Sequence, residues 1–263
     1  MEQEKVASNA TISSMVLPLP SKGKIYSVGS SLYHKEEIEV REMTTNEEDI
    51  LTSISLIKTG KAIDNVIENC ILDKNIDSSK LVVGDRNAII IGMVLASYGA
   101  DYKVDVPCEK CGEINTKYQF NLNNLPVKFL TTEPLEDGKN EFNFILPKSK
   151  LKITFSLPTA EDEKEISTTV QRLKNAVNTG KESNVSIRLK KIIKSIDNNY
   201  DTRKIAEFID QKKMSIMDST AIRNYVEEIS PDITTAQPFK CMHCGFESEV
   251  KMPINFDFFW RTK

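Results

Sequence analysis

Pro107-Cys108-Glu109-Lys110-Cys111-Gly112 and Lys240-Cys241-Met242-His243-Cys244-Gly245 are the two stretches on which the reading of this chain turns. Two thiolates two residues apart face one ion when the backbone turns tightly between them. A glycine after the second cysteine suits that turn, because it accepts positive φ and lets amide N–H groups approach sulfur. The flanks alternate apolar and polar residues as strands do: Tyr102 to Val106 and Tyr118 to Leu122 around the first pair, Gln237 to Lys240 and Phe246 to Val250 around the second. Each pair is therefore expected at the tip of a β-knuckle. Zn²⁺ takes four thiolates tetrahedrally as a closed structural site, so Cys108, Cys111, Cys241 and Cys244 are expected to share one zinc ion.

Other uses of such pairs make different demands. A redox-active Cys-x-x-Cys sits at the start of a helix, where the dipole lowers the thiol pKa, and both pairs here lie between strand-like segments. Structural disulfides do not suit a reducing compartment. Separate metal sites, with His243 as a competing ligand, are a further alternative; inside so tight a turn the imidazole is expected to face solvent. Cys70 falls in the apolar set of an expected helix and reads as a small buried residue. Cys111 and Cys241 are 130 positions apart, far beyond a compact zinc ribbon. Either a domain is inserted between the knuckles, or each knuckle ends its own unit.

Working outward, the chain repeats landmarks in order. At an offset of 133, Asp85, Ala88-Ile89, Ser97 and Cys108-x-x-Cys111-Gly112 fall on Asp218, Ala221-Ile222, Ser230 and Cys241-x-x-Cys244-Gly245. Thr59-Gly60-Lys61 matches Thr179-Gly180-Lys181 at 120, and residues 39–48 parallel 153–162 at 114. The growing offset gives the second copy about nineteen extra residues. Each copy is expected to run strand (36–43; 151–157), capping box (Thr45 with Glu48; Thr159 with Asp162), helices and knuckle. In the first copy one helix carries Ile50, Leu51, Ile54 and Ile57 and stops at Gly60. A second carries Ile63, Val66, Ile67, Cys70 and Ile71. A third, from Asp85 to Tyr98, is apolar nearly all round and should be the most buried. In the second copy helices are expected near 160–178, 185–197, 202–212 and 216–229.

Composition bounds the function. The full sequence has 263 residues, 35 Lys plus Arg against 38 Asp plus Glu, a net charge of −3, five Cys and two His. That length supports one or two domains with a hydrophobic core. The charge balance gives no global reason to expect a nucleic acid partner. The longest apolar run, Ala88 to Ala96, is nine residues, half of what a bilayer span needs, so no membrane segment is expected. Met1-Glu-Gln-Glu-Lys5 lacks the apolar core of a secretory signal, which suggests an intracellular chain. His34 and His243 leave little room for histidine-based catalysis, and no Ser-His-Asp or metal-hydrolase pattern can be assembled. Neither Thr-Gly-Lys has the upstream glycine of a phosphate loop. Residues 181–213 hold nine Lys or Arg against five acids; Arg188, Lys190, Lys191 and Lys194 interleave with isoleucines as on a solvated amphipathic helix, with an acidic protein partner and nucleic acid as the functional readings. The Pro-rich segment Leu17 to Tyr26 reads as an extended arm that docks on a neighbour or covers its own core. The aromatic tail Phe256 to Trp260 reads as a core lid or an interface anchor.

Several of these stretches carry a resemblance. Leu19-Pro-Ser-Lys-Gly-Lys-Ile-Tyr26, Met43-Thr-Thr-Asn-Glu-Glu-Asp-Ile-Leu51, Gly84-Asp-Arg86, Ser97-Tyr-Gly-x-x-Tyr102, the Cys-x-x-Cys-Gly pairs and the Phe-Phe-Trp tail resemble the T4-type bacteriophage baseplate protein family, which includes baseplate hub subunits of contractile-tailed phages. The resemblance spans nearly the whole chain and is strongest over 17–122. It implies no enzymatic activity and no small-molecule substrate. It implies a part in building the hub, as virion subunit or as assembly factor, with other baseplate and tail proteins as partners, in the virion tail baseplate or in the host cytoplasm during assembly. The bound zinc is inferred from spacing.

The expectation is thus an α+β fold, mostly helical with short strands, in two pseudo-repeated halves that each end in a Cys-x-x-Cys β-knuckle and build a zinc-ribbon-like four-cysteine site. The expected organisation is an extended arm (1–35), a first half (36–125), a linker (126–150) and a second half (151–263). The competing class is a zinc-ribbon nucleic-acid-binding protein, which a steep salt dependence of DNA or RNA binding would reveal.

Overall fold

The structure, a computed structural model, describes residues 12–175, 184–211, 213–252, 254 and 256–259. Part of the expected arm, the last residues of the expected 160–178 helix, the Thr179-Gly180-Lys181 landmark and Trp260 lie outside the described residues. In chain order the elements are β1 (Ser14–Pro18), β2 (Glu37–Arg41), α1 (Thr45–Thr52), α2 (Ile54–Lys58), α3 (Ala62–Cys70), α4 (Val83–Tyr98), β3 (Asp101–Pro107), β4 (Ile114–Asn121), β5 (Val127–Lys128), β6 (Phe142–Ile145), β7 (Lys152–Phe155), α5 (Ala160–Asn175), α6 (Asn184–Ile192), β8 (Ile193–Ile196), α7 (Thr202–Asp210), α8 (Ile216–Ile229), β9 (Asp232–Ile233), β10 (Ala236–Lys240) and β11 (Glu247–Lys251).

The expected fold class needs correction. Only 40% of the described residues are helical, against 24% extended, so the fold is α+β without being mostly helical. The strands form five small sheets: β1–β2, β3–β4, β5–β9 and β10–β11 as antiparallel pairs, and β6–β7–β8 as a three-stranded sheet. Nor does the chain resolve into two matching halves. One continuous apolar core runs from Leu17 to Phe259. The β5–β9 pair, the Val82–Thr159 bridge and the bonds Val83 N–H to Pro158 O (3.1 Å) and Ala160 N–H to Leu81 O (2.8 Å) join early and late segments directly.

Helix α4 is the centre of that core, as its nearly all-round apolar surface predicts. Ala88 to Val94 are all buried, and Leu17 of β1 packs against the helix. Fully burying an aliphatic side chain is worth roughly 1.5–3 kcal/mol, so this helix is held by packing far more than by propensity. Gly84 in its first turn allows a close backbone approach: a Cβ there would stand 1.9 Å from the carbonyl oxygen of Pro231, just before β9. The segment from Leu17 to Tyr26 covers this core. Leu17, Leu19, Ile25 and Tyr26 are buried, and Asp85 of α4 accepts hydrogen bonds from Ser21 N–H (2.8 Å), Ser21 Oγ (2.5 Å) and Tyr26 OH (2.6 Å).

Local expectations fare unevenly. Helix α3 buries Val66, Ile67 and Cys70 as its spacing requires, and burial pushes the Cys70 thiol up to about 12. The first capping box sits one residue earlier than expected. Thr44 N–H and Thr44 Oγ1 both bond Glu47 (2.8 Å), and Arg41 grips the same carboxylate. Thr159 and Asp162 form the second box as expected. The single helix expected from Ile50 to Ile57 breaks at Ser53, where ψ of 108° is extended, and Ile54 is 69% exposed. The helix expected at 185–197 ends at Ile192, and Ile193 to Ile196 become β8, because pairing with β7 satisfies their backbone.

Candidate metal centre

Each knuckle is a short hairpin whose turn carries a cysteine pair. In the first, between β3 and β4, Gly112 N–H bonds Cys108 O (2.9 Å) and Cys108 N–H bonds Glu113 O (2.9 Å). In the second, between β10 and β11, Gly245 N–H bonds Cys241 O (2.9 Å) and Cys241 N–H bonds Phe246 O (2.8 Å). Gly112 and Gly245 have φ of +75° and +70°, the left-handed region that the glycine in each pair was expected to supply.

The fold brings the two turns together. The Sγ atoms of Cys108, Cys111, Cys241 and Cys244 all lie within 4.8 Å of one another. The closest pairs cross between knuckles, Cys108 to Cys244 and Cys111 to Cys241, each at 3.7 Å. A tetrahedral ion with Zn–S bonds of about 2.3 Å sets its sulfurs about 3.8 Å apart, so the spacing suits a metal. It is far too long for the S–S bond of about 2.05 Å in a disulfide. Cys108 and Cys241 are buried; Cys111 and Cys244 are exposed. Two of these thiols, Cys241 and Cys111, are pushed in opposite directions. Burial opposes the thiolate at Cys241, yet the N–H groups of Cys244 and His243 and the Asn115 amide pull it down to about 6. Cys111 accepts an N–H from Glu113, but partial loss of water at the sulfur and the three neighbouring sulfurs push it up to about 12. A divalent ion would remove this conflict, since it favours the thiolate at every ligand.

A row of side-chain bonds seals the seam between the hairpins, and sequence reasoning missed it. Asn115 Oδ1 accepts the N–H of Met242 (2.7 Å), and its Nδ2 lies 3.6 Å from Cys241 Sγ. Tyr118 OH accepts Lys240 N–H (3.1 Å). Gln237 donates to Asn121 O (2.8 Å) and accepts from Asn121 N–H (3.3 Å). Beneath this row Tyr118 packs against Phe239 (ring centroids 4.9 Å), and Phe258 of the aromatic tail packs against Tyr102 (5.0 Å). Phe258 and Phe259 are buried, so this part of the tail closes the core behind the knuckles.

The basic residues of α6 are turned inward on neighbouring helices. Arg188 grips Glu163 of α5 (2.9 Å for its second bond), Lys191 reaches Asp162 (3.2 Å) and Glu165 (2.5 Å), and Lys190 pairs with Asp210 of α7 (2.7 Å). The two histidines have separate settings: His34 lies 2.9 Å from Asp137 on an exposed surface, and His243 sits in the second knuckle turn.

Fold and site together define an α+β protein in which two hairpin turns, far apart in sequence, converge four thiols on one point. A family model described as "T4 bacteriophage base plate protein" matches residues 13–260, and the chain belongs to that family. No curated protein and no solved structure gives a significant match. Family membership suggests a structural protein, implies a location in the virion tail baseplate, and implies phage tail proteins as partners. Among the described residues, no helix is long and apolar enough to cross a membrane.

Proposed function

We propose that this chain is a non-enzymatic protein of the phage baseplate hub, which acts in baseplate assembly as a structural subunit or an assembly factor, and that Cys108, Cys111, Cys241 and Cys244 hold one structural zinc ion. The observation that carries this reading is the convergence of both cysteine pairs of a baseplate-family chain on a single point. Four sulfurs with no open position suit a structural site rather than a catalytic one, which would keep a place for water. The ion ties an early hairpin to a late one, so its binding free energy becomes folding free energy. The basic face of α6, the strongest sequence feature for a nucleic acid partner, is occupied by acids of α5 and α7.

Two measurements test the proposal. Affinity capture of the tagged chain from infected cells should recover other tail proteins; capture of none of them, with the chain also absent from assembly intermediates, would overturn the hub reading. Mass spectrometry of mature particles then separates the two modes of action, since a subunit remains in the finished virion and an assembly factor does not.

A further inference from the structure

Asn115 stands out among the residues around the four sulfurs because it belongs to one knuckle and serves the other. It lies on β4, is fully buried (0% exposed), and has its whole amide engaged. Within its own hairpin Nδ2 faces Val106 O (3.3 Å) and Glu113 O (3.5 Å). Across the seam the same Nδ2 approaches Cys241 Sγ (3.6 Å), while Oδ1 accepts Met242 N–H (2.7 Å) inside the second turn. The corresponding place in the second hairpin, four residues after Cys244, is Ser248, which is only half-buried. Beside the sulfurs the clip runs from the first knuckle to the second, while farther along the seam Gln237 of β10 bonds back to Asn121 of β4.

A β-bulge puts it there. Val104 pairs with Tyr118 but Val106 pairs with Asn115, so the register shifts by one residue between them. Lys117 takes up the extra residue at φ of +53°, with its N–H held by Asp105 (2.8 Å). Such a bulge turns the next side chains to the opposite face and re-aims a residue at a nearby site.

From this geometry we infer that Asn115 is a positioning residue for the metal: it holds the second knuckle in register and donates to the Cys241 thiolate. The inference rests on the four-thiolate reading and adds to it how the site is pre-assembled. Partners that orient first ligands and donate to them typically govern metal affinity by about 10–100-fold. Asn115→Asp keeps the acceptor for Met242 N–H but replaces the donor beside sulfur with an anion, so it separates the two roles. Asn115→Ala removes both without adding charge. Tyr118→Phe removes the neighbouring cross-link to Lys240 without touching sulfur, and so reports the loss of a seam bond alone.

The test is zinc affinity of the full chain by competition with a chelator, together with the visible spectrum of the Co²⁺-loaded chain, whose sulfur-to-metal charge-transfer bands respond to hydrogen bonds at the thiolate. Asn115→Asp and Asn115→Ala should weaken zinc by about 10–100-fold and shift the charge-transfer bands. Tyr118→Phe keeps the donor beside sulfur and should leave the charge-transfer bands as in the parent chain, whereas a shift equal to that of the Asn115 variants would overturn the inference. Parent-like affinity and spectra in both Asn115 variants would overturn the inference while leaving the zinc site standing. Failure of both variants to fold with zinc present would also overturn it, by giving Asn115 a purely structural role. A parent chain that takes up no metal would remove the zinc reading and this inference with it.

Discussion

Helix α4 with the β3–β4 knuckle and helix α8 with the β10–β11 knuckle contain the same parts in different surroundings. Both helices carry a buried aspartate in the first turn, both place a serine near the far end that bonds back one turn (Ser97 Oγ to Met93 O, Ser230 Oγ to Val226 O, each 2.6 Å), and both feed a Cys-x-x-Cys-Gly turn. Yet α4 is buried over two turns, whereas α8 buries only Asp218, Ile222 and Ile229. The first region anchors itself in the core and reaches outward with Asn115 and Tyr118. The second offers the N–H groups of Lys240 and Met242 and answers with Gln237, whose side-chain amide bonds Asn121 of the first. Identical turn chemistry thus follows one deeply buried helix and one shallow one, and burial rather than sequence motif sets the two regions apart.

The comparison can be broken most sharply at the sulfurs. If one metal joins the regions, losing a ligand from either knuckle should cost the same. Cys108→Ser and Cys241→Ser should both abolish stoichiometric metal binding and lower the thermal midpoint by about 10 °C or more, given structural zinc contributions on the order of 10 kcal/mol. Scanning calorimetry with parallel metal analysis checks this, and a large loss in only one variant would mean that the knuckles do not share a site.

A smaller effect is expected where the regions touch through backbone. Gly84→Ala forces a Cβ toward Pro231 O, so α4 and the strand that leads to the second knuckle must separate; overpacking of this kind costs about 1–3 kcal/mol, and a rigid carbonyl places it toward the upper end. Urea unfolding checks it, and an unchanged midpoint would show that the approach is dispensable.

Gly112→Ala and Gly245→Ala ask whether the turns are equivalent once their surroundings are set aside. Both glycines have left-handed φ with open space around the Cβ position, so each substitution should cost about 1–2 kcal/mol of conformational strain, and the two costs should agree. Unequal losses in the same unfolding assay would place a further difference inside the knuckles themselves.

The smallest effect is the most discriminating in sign. Burial raises Asp85, despite its bonds from Ser21 and Tyr26. Burial also opposes ionisation of Asp218, but the N–H groups of Lys148 and Ser149 and the Ser215 hydroxyl outweigh it and lower that carboxyl. A raised carboxyl contributes most below its unfolded pKa and loses that contribution as pH rises through the folded value. A lowered one contributes above its unfolded pKa and loses it as pH falls. The stability gap between the parent and Asp85→Asn should therefore widen from pH 6 to pH 3, and the gap to Asp218→Asn should narrow. Denaturant midpoints across that range give both slopes, and slopes of one sign would show that the two helices house their aspartates alike.

What could be read in the sequence was whatever is encoded locally. The knuckle turns depend on four or five consecutive residues and the α3 stripe on helical spacing, and both were visible; so were the Thr159–Asp162 box and the central burial of α4. Non-local pairing hid the rest. Ile192, Ile193 and Ile196 fit a helix or a strand equally, and only β7 decides for β8. Thr44 and Thr45 are both acceptable caps three residues before a glutamate, and the grip of Arg41 on Glu47 selects the first. Asn115 was concealed by parity. With Tyr118, Phe120 and Leu122 facing in, an odd-numbered asparagine reads as solvent-facing until the bulge at Lys117 reverses the count.

The most direct test of the account is the metal content of the purified full chain, by elemental analysis against protein concentration and by native mass spectrometry. One zinc ion per chain, retained at neutral pH and lost on substitution of Cys108 or Cys241, is the predicted result. A fully folded chain that carries no metal, and takes none up from added zinc, would contradict it.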